Sequence, residues 1–208
     1  MNAFARLLLC TALSGLALGA QARTFEVSDF AELDNAVIEA EDGDEIVIKK
    51  GVYELEAPLE IFSRVTVRGE QGAVIDAGGR GSGFIVRVPK VRIENLTVRN
   101  YGGDLYARDA GVMVGDGADG TELVNLTLQG PGFGVRADRM NALVVEGCTI
   151  EGDAARHVLD RGDGIFLSYV KNARLNHNSL RNVRDGYYLE NVDAAKSDFN
   201  YFTGAQYG

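Results

Sequence analysis

Apolar and polar residues alternate along most of this chain in short runs, and the runs recur in register. VRIENLTVRN at 91–100, TELVNLTLQG at 121–130, LVVEGCTIEG at 143–152 and ARLNHNSLRN at 173–182 align without gaps, and a weaker copy, KSDFNYF, follows at 196–202. Their matching positions Ile93, Leu123, Val145, Leu175 and Ser197 lie 30, 22, 30 and 22 residues apart. A period near 22, with eight extra residues on alternate turns, is the signature of a solenoid that stacks one unit on the next.

The alternation assigns the faces. In VRIENLTV, Val91, Ile93, Leu96 and Val98 point inward and Glu94–Asn95 make a bend. The column through Leu96 continues as Leu126, Cys148, Asn178 and Asn200. An asparagine ladder is therefore expected near the end of the stack, its amides bonding from coil to coil. Cys148 reads as a small core residue, not a reactive thiol. A second strand precedes each repeat: AGVMV at 110–114, GFGVRA at 132–137, DGIFLS at 163–168 and DGYYLE at 185–190. Here Val112, Val114, Ile165 and Leu167 point in, while Met113, Arg136, Phe166 and Tyr188 form an outward column. Earlier β-like runs are EIVIK at 45–49, VTVRG at 65–69, AVID at 73–76 and FIVRV at 84–88.

One segment is helical. In SDFAELDNAVIEAE at 28–41, Phe30, Leu33, Val37 and Ala40 share a face, Asp29 and Glu32 can form a capping box, and Gly43 ends the helix. A helix over about 29–41 would cover the apolar end of the stack. The expected fold is all-β, a parallel β-helix with a short N-terminal capping helix. The extra residues form two insertions, NYGGDLYARD at 100–109 and GDAARHVLDRGD at 152–163. Two coils apart on one edge, they project side by side, and loops on a rigid scaffold are where function concentrates.

The start of the chain has another purpose. Arg6, the apolar run Leu7–Leu18 and Ala20-Gln21-Ala22 read as a secretory signal peptide over 1–22, cleaved after Ala22. The β-helix domain is then 23–208, with a single cysteine, Cys148, so no internal disulfide is expected and packing must hold the fold. Setting Arg6 aside leaves 20 basic residues against 30 acidic ones, a charge of −10 that argues against nucleic acid and anionic membranes. The chain stops at GAQYG where another coil would begin, the pattern expected of part of a longer protein.

DLYARDAGVMV, LQGPGFGV, DRGDGIFL and LRNVRDGYYLEN in this order, after GAVIDAGGRGSGFIV and PKVRIENLTV, resemble the NosD family over about 45–204. That resemblance implies a periplasmic right-handed β-helix that helps mature the copper centres of nitrous oxide reductase. It implies as partners the ABC transporter NosF–NosY, the copper chaperone NosL and the reductase NosZ. It implies scaffolding rather than bond making.

Copper handling calls for His, Met or Cys, with sulfur favoured for Cu(I). The candidate ligands are His157 in the second insertion, Met113 beyond the first, His177 at a bend and Met140 in a turn. No HxxxH, CxxC or Met-rich run joins them, so any copper is expected to be transient and shared with partners. The candidate docking edge is Tyr101, Asp104, Tyr106, Arg108, Asp109, Asp153, Arg156, Asp160 and Arg161, with Asp163, Tyr187 and Tyr188 near it. The competing reading is a secreted β-helix polysaccharide lyase, hydrolase or epimerase, or a carbohydrate-binding protein. Against it stand the absence of Trp and a charge that repels uronate polymers.

Overall fold

Each turn of the chain lays one strand into each of three parallel sheets, building a right-handed parallel β-helix. The computed structural model describes residues 21–207. Eight strands, from Thr24–Val27 to Lys196–Asp198, form the first sheet; seven, from Gly51–Glu54 to Tyr201–Thr203, form the second. Six form the third: Leu59–Ile61, Phe84–Val86, Ala110–Val114, Phe133–Asp138, Ile165–Ser168 and Tyr187–Glu190. Spatial order follows chain order in every sheet.

The registers are those the repeat predicts. Ile93 pairs with Leu123, Leu123 with Val145, Val145 with Leu175 and Leu175 with Ser197. Inside, apolar columns run along the axis: Ile46, Val67, Ile93, Leu123, Val145 and Leu175 are all buried, as are Ile75, Val98, Leu128, Ile150 and Leu180 on the second sheet. Burying each such side chain contributes about 1.5–3 kcal/mol, so the axial columns are the main source of stability. From the third bend between the first and second sheets onward, the turn is left-handed: Asn95, Asn125, Gly147, His177 and Phe199 all have φ between 52° and 66°. Asparagine and glycine tolerate that region best.

The helix is Phe30–Glu39, capped by Asp29 and closed at Ala40, so it ends before Gly43, which sits in the following turn at φ 95°. The capping is displaced by one residue from the expected pair. Asp29 Oδ1 accepts from Glu32 N at 2.9 Å, but the Glu32 carboxylate reaches back to Ser28 N and Oγ, both at 2.8 Å. Leu33, Ala36 and Ala40 are buried against the first coil. The asparagine ladder also takes a different form. Asn178 Nδ2 donates to Val145 O at 2.9 Å and its Oδ1 accepts from Cys148 N at 3.0 Å, so the amide bridges backbones of the preceding coil instead of a neighbouring amide. Asn200 repeats this with Leu175 O and Asn178 N. Cys148 is buried, and burial pushes its thiol up to about 11.

The expected signal peptide lies outside the described residues, apart from its last two. Among the described residues no helix is long and apolar enough to cross a membrane.

Candidate functional site

The two insertions face each other across one edge of the helix and form the walls of an open cleft of about 900 Å³. Its lining comes from Gly103, Asp104, Leu105 and Tyr106 on one side and Arg156, Leu159 and Asp160 on the other, with Phe133 and Arg184 from the coils between and below. The walls touch: the Arg156 guanidinium packs over Gly103, leaving no room there for a side chain.

Each wall holds itself in place through short-range polar bonds. In the first insertion, Asp104 Oδ1 accepts from Tyr106 N at 2.9 Å and Ala107 N at 3.0 Å, a side-chain-made turn. The buried Asp109 carboxylate accepts from Asp104 N at 3.0 Å and closes the loop at its base. In the second insertion, Asp153 Oδ1 accepts from Ala155 N, and a single 3-10 turn spans Val158–Asp160. Arg161 folds back over its own loop, donating to the carbonyls of Arg156, Ala154 and Asn182. Those bonds satisfy backbone acceptors that the loop cannot pair itself.

Glycines in the coil between make this possible. A Cβ on Gly130 would lie 2.7 Å from the Tyr101 ring, and one on Gly132 would overlap the carbonyl oxygens of Gly102 and Asp109. Gly162 in turn lies flat on Gly132. LQGPGFGV and DRGDGI are thus the seats on which the two insertions rest.

Below the cleft, Asp163 is fully buried and accepts from Arg184 Nε at 2.9 Å and Nη2 at 2.7 Å. Burial holds the Asp163 carboxyl above the usual carboxylate range, although Arg184 works in the opposite sense. On the outer face of the third sheet, Met113, Arg136, Phe166 and Tyr188 stand in register as expected. The Arg136 guanidinium lies 4.1 Å from the Phe166 ring centre and 5.0 Å from that of Phe133, and Phe166 stacks on Tyr188 at 5.0 Å. Arg136 is also bonded to Asp138, so this strip is a packed ladder with little free chemistry.

The candidate residues separate into groups. Asp104, Tyr106, Arg156 and Asp160 line the cleft, with Tyr106 fully exposed. Arg108 leans towards Asp138 at 3.7 Å, while Asp153 and Arg161 brace the second loop. Tyr101 is corrected: it is completely buried and belongs to the core, not to a docking surface. Its ring fills the inward corner immediately after Asn100, the place that buried Val183 takes after Asn182. Asp109 is buried as well, with its carboxylate turned into the loop base.

The four candidate copper ligands stand in four different places. His157 caps the 3-10 turn, its Nδ1 accepting from Leu159 N at 3.3 Å, which leaves Nε2 free. Met113 lies mid-strand on the third sheet. His177 is at its bend and stacks on Phe199 at 5.1 Å. Met140 is buried in the core and is corrected on that ground, since its sulfur is closed off from an arriving ion. Among the described residues no three His, Cys, Asp or Glu side chains gather in a metal-binding group. Sequence reading missed Leu105, Leu159, Phe133 and Arg184. Stacking GFGV on GDGI and DGYY would have placed Phe133 above Asp163 and so at the cleft floor.

The fold defines the class as a right-handed parallel β-helix with two paired insertions on one edge. No protein-family model matches the chain. By sequence it matches NosD proteins. Over 137 residues, 66% of this chain, it is 39% identical to the "Probable ABC transporter binding protein NosD" of Stutzerimonas stutzeri. Over 136 residues, 65% of the chain, it is 36% identical to the protein of the same name from Pseudomonas aeruginosa. In both cases the match spans 30% of the relative's length. Over the matched part the chain is similar to these NosD proteins, in line with the resemblance carried by the ordered motifs. Solved structures include a PL6 family alginate lyase, with TM-score 0.68 and 17% identity over 88% of this chain and 29% of that one. A putative glycosyl hydrolase from Parabacteroides merdae has TM-score 0.56 and 12% identity over 85% and 87% of the two chains. At these identities the likeness is one of fold alone.

Proposed function

We propose that this chain is part of a periplasmic, non-catalytic accessory protein for assembling the copper centres of nitrous oxide reductase. It works beside an ABC transporter of the NosF–NosY type and docks partners at the insertion cleft. The observation that carries this reading is the 39% identity to a protein named as an ABC transporter binding NosD. The cleft supports it: exposed Tyr106 and Leu159 offer apolar anchors, ringed by Asp104, Asp160 and Arg156. NosL and the reductase NosZ are the further partners in this scheme, with copper passing transiently and His157 Nε2 as the first ligand to test.

Two carboxyls at the site are engaged in holding the structure. Asp104 is committed to its own turn. The one carboxyl held above its ordinary range among the described residues, Asp163, is fully buried and ion-paired, so it cannot reach a substrate as a general acid.

The test is complementation of a denitrifying host lacking its own protein of this type, using the full-length protein. Tyr106→Ala with Leu159→Ala should lower the copper content of the reductase several-fold while leaving the accessory protein folded and abundant. Unchanged copper loading would remove the cleft from the mechanism, and failure of the unsubstituted protein to complement would remove the accessory role. Anaerobic Cu(I) titration against a competing chelator, with and without His157→Ala and Met113→Ala, checks the copper part separately.

A further inference from the structure

The charges that line the cleft are not equivalent. Arg184 is held from behind by the buried Asp163, at 2.9 Å through Nε and 2.7 Å through Nη2, and Arg156 pairs with Asp153 of its own loop at 3.6 Å. Asp104 and Asp160 stand on opposite walls, and among the described residues neither is in an ion pair. The other cations of the insertions are turned elsewhere: Arg108 leans towards Asp138, and Arg161 donates only to backbone carbonyls. Asp104 spends one carboxylate oxygen on its turn, accepting from Tyr106 N and Ala107 N at Oδ1, while Oδ2 bonds to nothing among the described residues. Asp160 is exposed at the end of the 3-10 turn.

Apolar surface accompanies these carboxylates on both walls. Tyr106 is fully exposed and Leu159 largely so, with Leu105 beside the first and Phe133 on the floor. An aromatic face attracts a cation, so Tyr106 works in the same sense as the two aspartates. A bare metal ion would neutralise the carboxylates but leave the apolar walls wet, and among the described residues no metal-binding group gathers here. The walls are preformed. Pro131 and Arg156 both lie against Gly103, and Asp109 closes the base of the first loop. Little order has to be gained when a partner arrives.

We infer that the cleft takes a partner segment in which a cationic side chain, arginine or lysine, stands next to an apolar one. The apolar group enters between Leu105, Phe133 and Leu159, and the cation lies by Tyr106, with Asp104 on one wall and Asp160 on the other. This deepens the docking reading and rests on it. The charge of −10 beyond the signal segment, 20 basic against 30 acidic residues, steers such a segment towards the chain.

Fluorescence anisotropy on the full-length protein tests it, with two dye-labelled peptides, one alternating Leu and Arg and the other Leu and Glu. The Leu-Arg peptide should bind more tightly by about tenfold or more. Asp104→Asn with Asp160→Asn should weaken that binding by about tenfold, the worth of two exposed ion pairs. Asparagine keeps the oxygen that accepts from Tyr106 N and Ala107 N, so the wall stays built. Asp116→Asn with Asp119→Asn removes the same charge beyond the opposite end of the strand Ala110–Val114 and should change nothing. Equal weakening by the two pairs would mean attraction by net charge and would overturn the inference. So would equal binding of the two peptides, or binding of neither. The docking reading has its own test in copper loading with Tyr106→Ala and Leu159→Ala, so a cleft that docks a partner of other chemistry would fail only here.

Discussion

Gly162 has no room for a methyl group because it would meet the Gly132 backbone, and Gly132 has none because the carbonyls of Gly102 and Asp109 in the first insertion lie against it. The clash would be with backbone atoms, which cannot swing aside as a side chain can. Gly132→Ala should therefore destabilise the chain by about 3 kcal/mol, at the upper end of overpacking effects, as read from the midpoint of urea unfolding. Gly51→Ala is the control: its Cβ would meet the Tyr53 ring at 3.5 Å, ordinary contact, and should change stability by less than about 1 kcal/mol. Equal effects at the two sites would mean that the insertions do not bear on Gly132. Tyr101 shows where residue-level reading goes astray. The sequence gives an aromatic at the start of a glycine-rich insertion, which suggests surface. Extending the gapless alignment by one residue puts it in the place of Val183, and the gap left by Gly130 is the cavity that its ring fills.

The capping helix depends on an ionic clamp that no hydrophobic pattern reveals. Asp44, just beyond the helix, accepts from Arg23 N at 2.7 Å, Arg23 Nε at 3.0 Å and Glu41 N at 2.9 Å, tying the entry of the chain to the helix exit. The Arg23 guanidinium, with these backbone amides, holds the Asp44 carboxyl down at about 2. A depressed carboxylate stabilises the folded state above its ordinary titration near 3.8 and loses that contribution as pH falls towards 2. Asp44→Asn should accordingly lower the melting temperature at pH 6, and the gap to the unsubstituted chain should close between about pH 4 and pH 2. A gap that stays constant down to pH 2 would mean that Asp44 acts through shape, not charge. The helix and the strands were legible because period 3.6 and period 2 are written in the apolar residues themselves. The asparagine ladder was legible in position but not in bonding: a column of equivalent residues fixes which groups are neighbours, while the choice between amide and backbone partners depends on the side-chain direction inside the coil.

At the scale of the whole molecule, a solenoid is nearly one-dimensional, so each coil is held only by its neighbours and stability is local. The 22-residue period announced a solenoid, and the period-2 alternation with no helix signal between the later repeats separated a β-helix from leucine-rich repeats of the same length. The candidate site was half legible: the spacing showed that two insertions share an edge, but not that their walls meet over Gly103 or that Phe133 and Arg184 floor the cleft. The first and last described coils are covered unequally. The first coil lies beneath a helix that buries Leu33, Ala36 and Ala40 against it, whereas the final coil leaves Leu189, Phe199 and Tyr201 between 47% and 82% exposed. In a chain cut at residue 208, where this coil buries less apolar area per residue, it should open at a lower free energy than the coils within. Limited trypsin digestion under native conditions reads this directly. Cleavage at Lys196, in the wholly exposed strand Lys196–Asp198, should precede cleavage at Arg92 in the central strand Arg92–Glu94. If Arg92 is cut as early as Lys196, the stack opens as one cooperative unit and the nearest-neighbour account of its stability fails.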